Sequence, residues 1–404
     1  MNKKLTNKNF LLLCQGSIFS TFGAVLYSAA VGYWVYEKTG STALMGVLSS
    51  ITYIIQIFAG PIAGSISDHL RRRNVLVATD LIRGIAFTVL GYLAFREKMS
   101  VPMVVIVAVL SGLCSSLFTP ASTSLTPDML DESVIIKGQS IVNGSTAIIN
   151  LVGTAISGAL IVSLGVPLLI IINGVCYIVS GISECFIYDY PSHNEKTDVN
   201  FKVIIEDLKD SMTFVRNNTG ILKLGLICIF SNFLISGFYH LLLPYVLENG
   251  MSTQDYGYLG AFVSAGSLIG TLLLSTVNIY DKKPMRIIAY LIPLMVFTGA
   301  LGIYLASFKT TAALLLISFF FNGIVNGILN AVMIIILPEN RRGVLSSIIM
   351  TAVLIGNALS ALIYGVLGDL IRLNILGSAG YLLALLIMPL FLAKDVQGID
   401  IKKE

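Results

Sequence analysis

The sequence predicts an all-α polytopic membrane protein, with twelve transmembrane helices arranged as two six-helix pseudo-repeats. Three observations predict it. The 404 residues are 55% hydrophobic and only 12% charged, with a mean hydropathy of +0.85, where a soluble domain carries about a quarter charged residues. The apolar residues fall into long uncharged runs separated by short polar turns. A single long polar interval divides the ladder of runs near its middle.

A helix rising about 1.5 Å per residue needs roughly 20 apolar residues to cross the hydrocarbon core. Measured against that length, the runs place spans near 10–36, 42–66, 74–95, 102–126, 135–163, 166–188, 219–247, 256–277, 285–307, 311–337, 343–371 and 374–393. The stretch 138–183 is long enough for two helices, and Gly165-Val166-Pro167 supplies the turn between them. Residues 1–9 are basic, and the apolar run behind them is too long for the core of a cleavable signal.

The polar interval covers 189–218. In it Phe201, Ile204, Ile205, Leu208, Met212 and Val215 recur at helical spacing between charges, the pattern of an amphipathic helix on a membrane face. It separates a six-helix bundle at 1–188 from a second at 219–404. The halves echo each other: a basic turn follows span 2 (Asp68 to Arg73) and span 8 (Asn278 to Lys283), and a basic-Gly pair opens span 5 (Lys137-Gly138) and span 11 (Arg342-Gly343). Parallel six-span repeats around a central site are a transporter architecture.

Charge sets the orientation. The side holding the N-terminus, the even-numbered loops and the C-terminus carries 20 of the 26 Lys and Arg residues. The other side carries Lys38, Arg96, Lys98, Lys309 and Arg372, and Arg83 lies within a span. Cytoplasmic loops collect Lys and Arg, so both termini are expected in the cytoplasm of a cell-membrane protein.

Several function classes lack support. There is no Gly-rich phosphate loop ending in Gly-Lys-Ser/Thr and no soluble domain for ATP. No His/Glu or Cys/His cluster has metal-ligand spacing, so no metal or cofactor is expected. No plausible Ser/His/acid set argues for an enzyme, and the basic clusters lack the interleaved aromatics of a nucleic-acid surface. The five cysteines all fall in apolar stretches without paired spacing and read as small core hydrophobes.

The turn after span 2 reads Gly64-Ser-Ile-Ser-Asp68-His-Leu-Arg-Arg72-Arg73. It resembles the Gly-x-x-x-Asp-(Arg/Lys)-x-Gly-(Arg/Lys)-(Arg/Lys) loop of the major facilitator superfamily. Gln15-Gly-Ser-Ile-Phe-Ser20-Thr-Phe-Gly23 and Tyr36-Glu-Lys-Thr-Gly40-Ser look like the opening of its drug-efflux branch, which includes macrolide exporters. Phe118-Thr-Pro120-Ala121, Leu125-Thr-Pro127-Asp128 and Leu337-Pro338-Glu339-Asn-Arg-Arg342-Gly343 resemble the same branch. The resemblance implies the major facilitator fold, alternating access, and a cytoplasmic latch in which Asp68 pairs with Arg72, beside Arg73 and a close-packed Gly64. The competing reading of Arg71 to Arg73 is an orientation signal alone. His69 and Arg71 depart from the family pattern, and Gly153-Thr154-Ala-Ile-Ser157-Gly158 lacks the proline that drug antiporters carry in span 5, which weakens an inference of antiport.

Ionisable residues inside spans cost about 2.5–3.5 kcal/mol each and are functional candidates. Asp80 and Arg83 stand three apart on one face of span 3, either as a gate or as a self-neutralised pair. Glu184 near the inner end of span 6 and His240 towards the outer end of span 7 are proton-coupling candidates; Glu184 could instead snorkel to the interface, and a lone histidine is more often a helix contact. Asn322, Asn326 and Asn330 form one stripe of span 10 beside Gly323 and Gly327, suited to a neutral polar substrate or to interhelical glue. Gln15, Tyr27, Asn143, Asn150 and Asn232 complete the substrate-cavity candidates.

The expected function is a secondary transporter that exports amphipathic, drug- or macrolide-like small molecules by proton-coupled alternating access as a monomer in the lipid bilayer. The alternatives are a dedicated exporter of one native metabolite, such as a siderophore or peptide antibiotic, and, outside that class, a non-transporting receptor or a lipid flippase.

Overall fold

The structure is a computed structural model. It describes residues 5–188, 213, 215–276, 284–336 and 342–392, leaving aside the side chains of 61, 64–69, 132, 133, 136, 275, 333–336 and 342–347. The 189–218 amphipathic segment therefore lies almost wholly outside the described residues, as does the basic turn after span 8.

The apolar runs become helices: α1 Lys8–Thr39, α2 Thr42–His69, α3 Arg72–Phe95, α4 Val101–Met129, α5 Glu132–Glu184, α6 Thr219–His240, α7 Leu242–Glu248, α8 Thr253–Ser275, α9 Pro284–Leu305, α10 Phe308–Ile336, α11 Arg342–Gly368, α12 Leu373–Leu383 and α13 Met388–Leu392. Among the described residues, eleven stretches are long and apolar enough to cross a membrane. One of these lies in α5, whose 53 residues would reach roughly 80 Å as a straight helix, more than twice the hydrocarbon core. Gly165 breaks it at φ 76° and ψ 161°, a conformation open to glycine, so α5 makes two crossings and the count among the described residues is twelve. The seventh crossing is α6 with α7, and the twelfth is α12 and α13 joined by a 3₁₀ turn at Ala384–Ile387. Pro389 has no N–H and crowds the carbonyl four residues back, which is where that helix tightens.

Large apolar side chains such as Phe58, Tyr290 and Leu386 remain uncovered by protein, the surface a lipid-embedded chain presents. Four cysteines are buried as expected, but Cys185 is exposed: it follows the last turn of α5, beyond the packed face.

The chain divides into two compact units. Unit 1 holds Met1–Gly40 and Ile51–Phe201; unit 2 holds Ser41–Ser50 and Lys202–Glu404. In unit 1, α5 packs against α1 and α3, and α3 against α4. Phe10, Leu13, Leu76, Leu125 and Met129 form an apolar core there, and Asn7 ties α1 to the end of α4 by donating to the Met129 carbonyl at 2.7 Å. In unit 2, α10 packs against α8 and α9, and α6 against α11. The α8–α10 contact is backbone to backbone. A Cβ on Gly266, Gly270 or Gly323 would meet a carbonyl oxygen of the facing helix at 2.3, 2.1 or 2.2 Å, and one on Gly327 would meet Leu274 at 2.4 Å. Paired Gly-x-x-x-Gly rows let helices approach this closely in lipid.

Candidate functional site

Charge inside unit 1 is concentrated at one place. Asp80 and Arg83 are three residues apart on α3, so their side chains leave the same face. They form an ion pair through Arg83 Nη2 and Asp80 Oδ1, with 5% of Arg83 and none of Asp80 exposed. Arg83 also donates from Nε to the Thr79 carbonyl and from Nη1 to Ser115 Oγ, both at 3.3 Å. Its guanidinium carbon lies 4.5 Å from the centre of the Tyr177 ring and 4.9 Å from that of Phe118. A buried ion pair is favoured where its remaining polar groups are satisfied; α3, α4 and α5 each contribute to holding Arg83, while Asp80 Oδ2 has no hydrogen-bond partner among the described residues. The ring contacts add a cation–π attraction of about 0.5–2 kcal/mol apiece.

Glu184 closes the second arm of α5 and is fully buried, and neither carboxyl oxygen has a hydrogen-bond partner among the described residues. The room it occupies exists because α1 carries a glycine opposite: a Cβ on Gly16 would lie 3.0 Å from Glu184 Oε1 and 2.8 Å from Ser180 Oγ. The snorkelling alternative for Glu184 is thereby corrected, since α1 covers the carboxyl instead of leaving it to reach the interface. Asp80 and Glu184 are within electrostatic reach of each other and of Arg83. The cluster thus holds two acids and one guanidinium. With Glu184 protonated it is neutral; with Glu184 ionised it carries one uncompensated negative charge.

The basic turn is only partly described. Gly64 and Asp68 belong to α2, but their side chains lie outside the described residues. The partners found for Arg72 are on α4: its Nη1 donates to Asp128 Oδ2 in an ion pair and to the Ser124 carbonyl at 3.0 Å. Arg73 donates to Asn74 Oδ1 and to the Ile187 carbonyl, each at about 3.4 Å. Arg72 and Arg73 therefore tie α3 to the neighbouring ends of α4 and α5.

The remaining candidates are scattered. Tyr27 rests its ring 4.5 Å from that of Phe87, which stacks on Tyr177 at 5.6 Å, so it extends the aromatic packing behind Arg83. Gln15 is exposed on α1. Asn143, also exposed, accepts from Gln139 at 3.2 Å, and Asn150 donates to the Thr146 carbonyl at 2.9 Å. Asn232 donates to the Cys228 carbonyl at 2.9 Å, and His240 is half-buried at the end of α6. On α10, Asn326 donates to Asn322 Oδ1 at 2.8 Å, Asn322 reaches Met295 Sδ at 3.7 Å, and Asn330 is exposed. The glycine row beside them brings α10 close to α8. The structure thus brings together Asp80, Arg83 and Glu184, and separately Asn322 and Asn326.

Ser115, Phe118, Tyr177 and Asp128 were missed by residue-by-residue reasoning. Phe118 and Asp128 stand in the two Thr-Pro motifs of span 4, and that was the available signal. Among the described residues no group of three or more His, Cys, Asp or Glu side chains is placed to hold a metal ion.

Twelve membrane crossings among the described residues, two compact units and a charge cluster sealed inside one of them define a multi-pass membrane protein. The chain belongs to the Major Facilitator Superfamily, whose sequence profile matches residues 13–361. It is 25% identical over 287 residues to macrolide efflux protein A of Streptococcus pyogenes, covering 69% of each chain. It is 24% identical over 271 residues to the multidrug efflux pump Tap of Mycobacterium tuberculosis, covering 65% of this chain and 64% of that one. A crystal structure of a D-xylose–proton symporter superposes with a TM-score of 0.72 at 18% identity, over 96% of this chain and 98% of the other, which speaks to the fold.

Proposed function

We propose that the protein is a monomeric exporter of amphipathic small molecules in the plasma membrane, driven by protons moving inward, with Glu184 as the proton carrier. The observation that carries the coupling is the burial of Glu184 without a hydrogen-bond partner beside the Asp80–Arg83 pair. A carboxylate sealed from water needs a partner or a proton. Arg83 is already held by Asp80, Thr79, Ser115 and two rings, so it is not free to neutralise a second acid. Taking up a proton returns the cluster to neutrality, and releasing it requires a conformation that admits water to Glu184. That requirement links proton transfer to alternating access.

Export and the amphipathic cargo are supported by the names of the macrolide and multidrug efflux relatives. The neutral polar side chains Asn143, Asn150, Asn322, Asn326 and Asn330, with Gln15 and Asn232, are proposed to line the substrate path. Amides donate and accept, so they suit cargo that is neutral or weakly charged. The positive-inside distribution of Lys and Arg supports a cytoplasmic position for both termini. Asp68, Gly64 and the Arg72–Asp128 pair would then govern opening on the cytoplasmic side.

The test is uptake of a fluorescent amphipathic dye into inverted vesicles with and without an imposed proton gradient, for the wild type and Glu184→Gln. Gradient-driven accumulation that disappears in Glu184→Gln is the expected result. Gradient dependence identical in both would sink Glu184 as the carrier.

A further inference from the structure

Buried hydroxyls in this protein follow one rule, with one exception. Among the described residues thirteen serines and threonines are buried, and twelve of them donate to a backbone carbonyl. Such a bond satisfies a hydroxyl on a helix without help from another side chain. Ser180, on the second arm of α5, is fully buried and makes no hydrogen bond. A buried donor left unmade is costly, so its hydroxyl calls for a partner other than its own helix.

Two acids flank it. Ser180 stands one turn before Glu184, on the same face of α5. Ser180 Oγ and Glu184 Oε1 converge on Gly16 of α1, 2.8 and 3.0 Å from the position its Cβ would take. From α3, the Asp80 carboxyl comes within reach of the Ser180 hydroxyl, and a Cβ on the adjoining Gly181 would lie 3.3 Å from the Asp80 Cβ. Asp80 pairs with Arg83 through Oδ1, and its Oδ2 has no hydrogen-bond partner. The charged groups acting on Glu184 are Asp80 and Arg83, both from α3. Tyr177 of α5 and Cys114 of α4 act on that pair, and α1 presents Gly16. Ser180 thus has a single hydrogen to give and two carboxyls that can take it.

A hydroxyl donates once and accepts through its lone pairs. A protonated Glu184 can donate to Ser180 Oγ, which then donates to Asp80 Oδ2. Once Glu184 is ionised it becomes the stronger acceptor, because Arg83 is committed to Asp80. The Ser180 hydrogen then turns to Glu184 and leaves Asp80 Oδ2. We propose that Ser180 is the positioning residue of the proton site: its hydroxyl rotates between Asp80 and Glu184 as the proton comes and goes, and so passes the charge state of Glu184 to the ion pair on α3. The role rests on Glu184 as the proton carrier and adds the residue that ties it to α3.

Infrared difference spectra of the purified protein across a pH series test it. The carboxylic-acid carbonyl band that disappears in Glu184→Gln belongs to Glu184. It should move to higher wavenumber in Ser180→Ala, which loses the acceptor, and stay in place in Ser180→Thr, which keeps the hydroxyl. In inverted vesicles, gradient-driven dye uptake by Ser180→Ala should fall about tenfold, the scale of a lost hydrogen bond to a charged group. Dye affinity should be unchanged, and Ser180→Thr should restore uptake. An unmoved band, full gradient-driven uptake in Ser180→Ala, or an equal loss of dye affinity overturns the role of Ser180. If Glu184→Gln removes no band, the carrier reading fails and Ser180 falls with it. If the wild type carries no dye, export fails and the band alone decides Ser180. Should Ser180→Ala not fold, Gly16→Ala takes its place, since it crowds Ser180 Oγ and Glu184 Oε1 from α1 without removing either. It must move the same band, and a band left in place overturns the proposal.

Discussion

The two units solve the problem of polar groups in a membrane in different ways. Among the described residues, the fully buried charged side chains (Asp80, Arg83 and Glu184) all belong to unit 1. The fully buried polar residues of unit 2 are the hydroxyls Thr42, Ser50, Thr311, Ser318, Ser360 and Ser378. Ser318, for example, donates to the Met295 carbonyl at 2.7 Å, and Ser360 to the Phe233 carbonyl at 2.9 Å. A hydroxyl that bonds one carbonyl is satisfied in every state of the protein. A carboxyl with no partner is not, and the difference sets the buried acids of unit 1 apart from the buried hydroxyls of unit 2.

The largest expected effect follows from removing the guanidinium. Arg83→Ala leaves Asp80 buried with no counter-ion, which typically costs about 3–5 kcal/mol. Thermal unfolding in detergent should show it. Ser318→Ala in unit 2 removes one neutral hydrogen bond and should cost about 1 kcal/mol. Arg83→Met combined with Asp80→Leu should recover most of the loss, because a pair replaced by apolar groups of similar size leaves no stranded charge. Equal losses for Arg83→Ala and Ser318→Ala would erase the contrast between the units.

A second, smaller effect probes the packing of unit 2. Gly323→Val places atoms where the Ser267 carbonyl stands, so α8 and α10 must separate at a cost of about 1–3 kcal/mol. Gly225→Ala is the control, since nothing lies within 4 Å of its added Cβ. Alanine is the better helix former there, and stability should rise by about 0.5–1 kcal/mol. Destabilisation by both substitutions would mean that helix propensity, not close approach, sets the requirement for glycine.

The helices were legible in the sequence because each is a run of apolar residues long enough to cross, and hydropathy is a local property. Even the break at Gly165 was marked by Gly165-Val166-Pro167. The Asp80–Arg83 pair was legible for the same reason, its members being one helical turn apart. What surrounds the pair was not. Ser115 and Phe118 come from α4 and Tyr177 from α5, and only packing decides which neighbours a guanidinium meets. Arg72 illustrates the limit: a loop motif pointed to Asp68, whose side chain lies outside the described residues, and nothing local announced Asp128, 56 residues away, as a further partner. Asp369 carried no signal at all. It reads as an ordinary acid at the end of a span, and its role depends on Thr42 arriving beside it.

The smallest effect sharpens the comparison at Asp369, where unit 2 carries a charge that caps the first turn of α2 from an exposed turn. Partial burial pushes the Asp369 carboxyl up, but hydrogen bonds from Thr42, Ser41 and the Thr42 and Ala43 amides outweigh it and hold the group below its ordinary value. A depressed value means that the folded state favours the ionised form. The stabilisation is then complete above the ordinary carboxylate pKa of about 4 and is lost as pH falls through the lower, folded value. Asp369→Asn should therefore cost about 1 kcal/mol, the usual worth of an N-terminal cap, by the same amount at pH 6 and at pH 8. The difference from wild type should shrink only in strong acid, as wild-type Asp369 itself loses its charge. Thermal unfolding across that pH series checks it. A difference that faded between pH 8 and 6 would assign the dependence to some other group and remove Asp369 as the charge holding α2.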